Sequence, residues 1–305
     1  MKKILFAGLF FLIVLSGLAF AQDESSSGPG NIPGQVNEWL NKNNLTVTNT
    51  QDDAFVNNYI LVYAEGLPSA AASSPAQRRL TAERAAEVLA YRKLAEFLDG
   101  VAVVGDSVVK DDALQYDVVR SAVVGFVRGA QVVYEKYDDQ EGSAIAIVKI
   151  GMMGPEGFGR TMYQKLLGNP DVKKGIMETN APQYRRKPAH LDEAYDGLII
   201  DATDQDFRPA LINRIFTTKG DVLYDPSKVS QKILVEDGCG EYTNSVDKAK
   251  AALASRGVNN PLIVKAVGTV SAADLQVSDD DAVKIYSANQ KGNFFAGAKV
   301  AFVLK

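Results

Sequence analysis

Ser74–Leu98, SPAQRRLTAERAAEVLAYRKLAEFL, is the stretch that most restricts what this chain can fold into. Ser74 is placed to cap a helix N-terminus, Pro75 suits the first helical position, and Gln77 stands where a capping box needs it. Ala82, Ala85, Ala86, Leu89, Ala90, Leu94, Phe97 and Leu98 recur at helical spacing, while Glu83, Arg84, Glu87, Arg92 and Lys93 lie off that stripe. The first half of the stripe is alanine, which lets a helix approach a neighbouring surface closely; the second half is bulky. Strand-like apolar runs lie on both sides, so a helix packed on a sheet is predicted.

Those runs are clearest at Asn57–Gly66 (NNYILVYAEG), apolar on both faces, and at Gln131–Tyr137 and Ser143–Met152, which flank the turn DDQEG and read as a hairpin. Asp99-Gly100 ends the long helix, Val101–Val104 reads as a short strand, and Asp111–Val127 as a second helix. Gly157–Leu167 is a third. Residues 57–167 are thus expected to form one α+β domain. Before it, residues 22–56 read as a Ser/Gly/Pro linker with a short docking helix at Val36–Lys42.

The N-terminus sets the expected compartment. Met1-Lys2-Lys3 is positive, Ile4–Leu18 is apolar, and Ala19-Phe20-Ala21 offers small residues at the two positions a signal peptidase reads. Residues 1–21 are therefore expected to be a signal peptide cut between Ala21 and Gln22. The apolar core is short of the roughly 20 residues a membrane span needs. No transmembrane span is expected in the mature chain, and the expected location is a bacterial periplasm, peripheral at most to the outer membrane. Cys239, the only cysteine, cannot form an intramolecular disulfide. It has no basic neighbour in DGCGEY to stabilise a thiolate, so it reads as incidental.

Gly168–His190 (GNPD, APQ, RRKPAH) is polar and proline-punctuated, and residues 168–190 read as a linker. Its triplet Arg185-Arg186-Lys187 reads as a solvated run. Residues 191–305 are expected to form a second α+β domain. Its strands are Gly197–Ala202, the pair Arg214–Thr217 and Asp221–Tyr224 around Lys219-Gly220, Leu262–Val270, Leu275–Ser278 and Ala298–Leu304. Its helices are Val246–Ser255 and Asp279–Asn289.

The run AERAAEVLAYRKLAEFLDGV, followed by DSVV and SAVVGFVRGAQVVYE, resembles the LPP-twenty lipoprotein family, whose relatives include flagellar outer-membrane and H-ring proteins. The likeness covers about residues 59–150. It implies an Ala-rich helix leading through a glycine-marked strand to a second helix, and an envelope role without catalytic residues. The chain departs from the family in lacking the lipid-accepting cysteine, so direct anchoring is not implied.

Each catalytic pattern in the sequence is incomplete. Gly154–Thr161 (GPEGFGRT) has phosphate-loop spacing between a strand and a helix, but Arg160 stands where the lysine belongs and Pro155 removes a backbone donor. Gly105-Asp106-Ser107 has the look of an exported esterase block, yet the only histidine, His190, follows Lys187 rather than an acid at the required spacing. Asp201, Asp204 and Asp206 cluster after a strand without the glycine and distal glutamate of a calcium loop. Asp279–Asp281 suit a helix N-terminus. One histidine and one cysteine cannot make a zinc site. With 33 basic and 37 acidic residues and a net charge of −4, a nucleic-acid partner is not expected.

The sequence therefore predicts a non-enzymatic, exported α+β protein with no cofactor, nucleotide or metal. Its role would be scaffold or accessory in an envelope assembly, through envelope protein partners or self-association. Tyr59, Leu61 and Tyr63 share one face of a strand and form the candidate interaction stripe. Two alternatives stay open: a periplasmic small-ligand or cation binder using the Asp201 region, and a hydrolase built on Ser107.

Overall fold

The computed structural model describes residues 32–101, 103 and 112–305. Two short helices, α1 (Gly34–Asn43) and α2 (Gln51–Asn57), precede strand β1 (Tyr59–Gly66) and the long helix α3 (Pro75–Asp99). Helix α4 (Asp112–Val127), the hairpin β2 (Gln131–Asp138) and β3 (Ser143–Gly151), and helices α5 (Phe158–Gly168) and α6 (Pro170–Met177) follow. The class is α+β.

The long helix forms where its sequence places it. The Ser74 hydroxyl accepts a hydrogen bond from the Gln77 amide, and Pro75 occupies the first turn. The Gln77 side chain accepts from the Ser73 amide at 2.8 Å, one residue earlier than a capping box on Ser74 requires. Ala82, Ala86, Ala90, Leu94 and Leu98 are buried, the inner line of the predicted stripe. They pack on an antiparallel sheet of order β1-β3-β2. Even-numbered β1 residues, Ile60, Val62 and Ala64, lie in that core.

The opposite face is covered too. Val36 and Leu40 of α1 pack with Leu61, Ile145 and Ile147, rimmed by Trp39, Tyr59, Tyr63 and Tyr134. The outer edge of β1 is closed by the segment before α2: Thr48 donates its amide to the Leu61 carbonyl at 2.9 Å, and its hydroxyl accepts from the Leu61 amide at 2.9 Å. Helix α2, absent from the sequence reading, is nucleated by a full capping box between Thr50 and Asp53. Val101 and Val103 are buried but not in a strand, and residues 102 and 104 lie outside the described residues.

Beyond α6 come β4 (Gly197–Asp201), β5 (Arg214–Thr217), β6 (Val222–Tyr224), α7 (Gln231–Asp237), β7 (Glu241–Thr243) and α8 (Val246–Ser255). Then come β8 (Pro261–Lys265), β9 (Gly268–Ser271), β10 (Asp274–Val277), α9 (Asp279–Gly292) and β11 (Val300–Val303). β5 and β6 pair antiparallel as the expected hairpin. The expected strand Leu262–Val270 is instead two strands in two sheets. β8 is the edge of a parallel sheet of order β7-β11-β4-β8, and β9 the edge of a mixed sheet of order β6-β5-β10-β9. Helix α8 covers one face of the parallel sheet through Ala249 and Leu253 on Ile199, Ala301 and Val303. On the other, Leu198, Ile200, Val300 and Phe302 share a core with Ala282, Ile285 and Ala288 of α9. Helices on both faces are what a buried parallel sheet requires.

Composition reads residues 168–190 as a linker, but the segment is packed. Asn169 caps α6 through the Asp171 and Val172 amides, Val172 and Ile176 are buried, and the Ile176 carbonyl accepts from the buried Arg214 guanidinium at 2.9 Å. A single apolar cluster runs from Ile60 and Leu94 to Phe302. Phe55 meets Tyr242 edge to face at 5.0 Å, and the Gln51 side chain donates to the Pro209 carbonyl at 2.6 Å.

Candidate functional site

The stripe Tyr59, Leu61 and Tyr63 does share one strand face, but the chain covers it itself. Leu61 is fully buried beneath α1, and both tyrosines are half-buried. Lys149 lies over the Tyr59 ring and Lys93 over the Tyr63 ring, at 5.1 and 5.4 Å. Tyr59 also holds Thr46 through its hydroxyl. The docking helix expected at Val36–Lys42, α1, lies over this face, so Leu61 is not open to a partner.

The glycine-rich loop is a closed turn. The Gly157 amide donates to the Gly154 carbonyl at 3.0 Å and the Gly159 amide to the Met152 carbonyl at 2.7 Å. A phosphate cradle needs such amides pointing outward; here they are spent on the turn. What the loop does instead is carry Arg160 and Thr161 to the wall of an open groove of about 980 Å³.

That groove is larger than the 200 Å³ cleft beside Asp279. Ala122, Gly125 and Phe126 of α4 form one side, and Arg160, Gln164 and Lys165 of α5 the other. The start of β2 (Gln131, Val133) and the end of β3 (Lys149, Ile150, Gly151) close the third. Its charged lining is Lys149, Arg160 and Lys165 against Glu156. No ion pair engages Arg160 or Lys165 among the described residues. Sequence reasoning reads Gly125 only as part of the helical spacing of α4 and assigns Gln164 and Lys165 no role; the available signal is a glycine in the last turn of a helix.

Cys239 sits at a buried junction. The Tyr163 hydroxyl lies 3.7 Å from its sulfur and donates to the Leu211 carbonyl, while the Tyr224 hydroxyl donates to the Cys239 carbonyl at 2.6 Å. Burial pushes the Cys239 thiol up to about 11. The surrounding Tyr163, Tyr224 and Tyr242 phenols are raised well above the usual tyrosine value by the same cause. The adjoining void, 20 Å³, holds about one water. These groups keep their protons and join elements; none is poised to attack.

The acidic cluster does not converge. Asp201 accepts from the Thr203 amide and hydroxyl, and Asp204 pairs with Lys265 at 2.5 Å. The hydrogen bond from Lys265 holds the Asp204 carboxyl below its usual range. Among the described residues, no three Asp, Glu, His or Cys side chains gather as a metal site. Asp279 and Asp281 serve α9: Ser278 caps it through the Asp281 amide, and Asp279 pairs with Lys219. The 200 Å³ cleft there is lined by charges of both signs, Arg186 and Lys219 with Asp221, Asp279 and Asp280. His190 is solvent-exposed, 3.9 Å from Asp192. Ala19, Ala21, Gln22 and Ser107 lie outside the described residues. Among those residues no helix is long and apolar enough to cross a membrane.

Comparison with curated proteins finds no match. Residues 197–305, from the start of β4 to the end of the chain, match the family model described as Treponema pallidum Tp0624, second domain, so the doubly covered parallel sheet and its companion mixed sheet are similar to that domain.

Proposed function

We propose that this chain is a non-enzymatic, exported envelope protein that works as a scaffold or accessory subunit of a periplasmic or outer-membrane assembly. One observation carries the reading: among the described residues the groups that could do chemistry are consumed by the fold, while an open groove presents Arg160 and Lys165 without ion-pair partners. The glycine-loop amides close a turn, Asp204 holds Lys265, and the Cys239 thiol is protonated and enclosed. Arg160 and Lys165 face a groove instead. A binding module is built this way; an enzyme would converge titratable groups in its cleft.

The compartment rests on the signal-like residues 1–21, and the kind of assembly on the LPP-twenty resemblance of residues 59–150. The match of residues 197–305 to a domain that is the second in its own protein supports a modular architecture. The test is native electrophoresis of envelope extracts, with intact mass of the extracted chain. The reading expects a chain starting at Gln22, held in a complex larger than one copy. Migration as a free single chain, or retention in the cytoplasm, would overturn it.

A further inference from the structure

We infer that the groove between α4, α5 and the start of β2 docks an extended acidic segment of a partner protein. This rests on the scaffold reading above and names the site and chemistry through which it would act. Three observations converge on the groove.

The first is charge. Arg160 and Lys165 project from α5 without an ion-pair partner among the described residues, against the single acid Glu156 of the lining, whereas the Lys149 ammonium lies over the Tyr59 ring. Unpaired guanidinium and ammonium groups over apolar walls from Ala122, Phe126 and Ile150 suit carboxylates alternating with apolar side chains.

The second is the strand edge. In the sheet order β1-β3-β2, both outer strands have a free side in principle. The side of β1 is closed by Thr48, whereas β2 bonds only β3 along Gln131–Tyr137 among the described residues. The pairing slips between Val132 and Tyr134, and the displaced Val133 is 42% exposed at the groove. An unpaired edge beside a groove supplies backbone donors and acceptors for a strand-like guest, with side chains read alternately.

The third is Gly125, in the last turn of α4. A Cβ there would meet nothing within 4 Å, so no packing contact requires glycine. Glycine is a poorer helix former than alanine. On the groove wall its effect is to keep the wall low.

The test uses a fluorescein-labelled octapeptide of alternating Val and Glu, its Val/Lys counterpart, and fluorescence anisotropy with the full mature chain. The Val/Glu peptide should bind, and bind more weakly as salt is raised. Arg160→Glu with Lys165→Glu should weaken it by about tenfold or more, and Glu156→Gln should tighten it. Gly125→Leu should leave the melting midpoint unchanged or higher yet abolish binding, which separates a filled groove from a damaged fold. A backbone N-methylated Val/Glu peptide should bind worse than the parent. Equal binding of the Val/Lys peptide, no Val/Glu binding up to about 1 mM, or indifference to Gly125→Leu would overturn the inference. So would phosphatidylglycerol vesicles, if the charge reversals removed vesicle binding alone. If these arms fail while native electrophoresis still finds the wild-type chain in a complex, the groove assignment falls and the scaffold reading stands; a free single chain there removes both.

Discussion

Gly66, the last residue of β1, lies so close to α3 that a Cβ built on it would sit 2.1 Å from the Ala86 amide nitrogen and 2.3 Å from the Ala82 carbonyl oxygen. The alanine half of the helix stripe has its physical explanation here. Two backbones approach within a distance that only Gly on the strand and Ala on the helix allow, and the bulky half, Leu94 and Leu98, fills the core where they diverge. Because the obstructing atoms are backbone, they cannot rotate away. Gly66→Ala should therefore destabilise the chain by about 3 kcal/mol, the upper range for overpacking, seen as a lower denaturant midpoint. Gly34→Ala, which meets nothing within 4 Å, should cost little by comparison. Equal midpoints for the two variants would refute the close-approach account.

The neighbouring Glu135 gives a pH prediction. Its carboxyl is raised, first by burial and then by the charges of Glu83 and Glu87 across on α3. A carboxylate whose folded value is raised favours the folded state when protonated. That contribution is present below the unfolded carboxylate range and is lost as pH rises through the folded value. Glu135→Gln should accordingly stabilise the chain at neutral pH, by less than about 1 kcal/mol because the site is largely exposed, seen as a higher melting temperature. The advantage should vanish in acid near the ordinary glutamate range, about pH 4. A variant that stabilises equally at both pH values would show that charge is not the cause.

Local elements of this chain are legible because their signals are local. The cap at Ser74 and Pro75, the alternation of the hairpin, and Val246–Ser255 after its Ser245 cap each depend on residues a few positions apart. The misses have long-range causes. Leu262–Val270 reads as one strand because its composition is uniform, yet the Ala266 amide bonds the Asp201 carbonyl while the Val267 amide bonds the Gln276 carbonyl, so its two halves join different sheets. Parallel pairing of β11 with both β4 and β7 has no local signature. The stripe of Tyr59, Leu61 and Tyr63 was correctly placed on one face, but α1 lies on it from sixteen or more residues away. The groove is legible only as fragments, since Gly125, Val133 and Lys165 come from three elements.

The covered stripe makes its own prediction. Leu61 is an interior residue between Val36, Leu40 and Ile147, so Leu61→Ala should cost about 2–5 kcal/mol. Val36→Ala, on the helix that covers it, should cost in the same direction, and the double variant should cost less than the sum because the two share one cluster. Strict additivity, read from denaturant midpoints, would mean that α1 does not pack on Leu61.

The junction around Cys239 can be probed by chemistry and by mutation together. The thiol is buried and raised to about 11, and the thiolate is the species that reacts. Iodoacetamide near neutral pH should alkylate the native chain far more slowly than the denatured one. Tyr163→Phe removes the hydroxyl that donates to the buried Leu211 carbonyl, leaving that acceptor without its donor. Such a loss costs about 1–3 kcal/mol. Since Tyr163 belongs to α5 and Leu211 to the loop after β4, the cost should loosen the contact between the halves and speed Cys239 alkylation under native conditions. If Tyr163→Phe lowers stability while Cys239 stays equally protected, the hydroxyl stabilises its own side only, and the joint is held by Phe55 on Tyr242 instead.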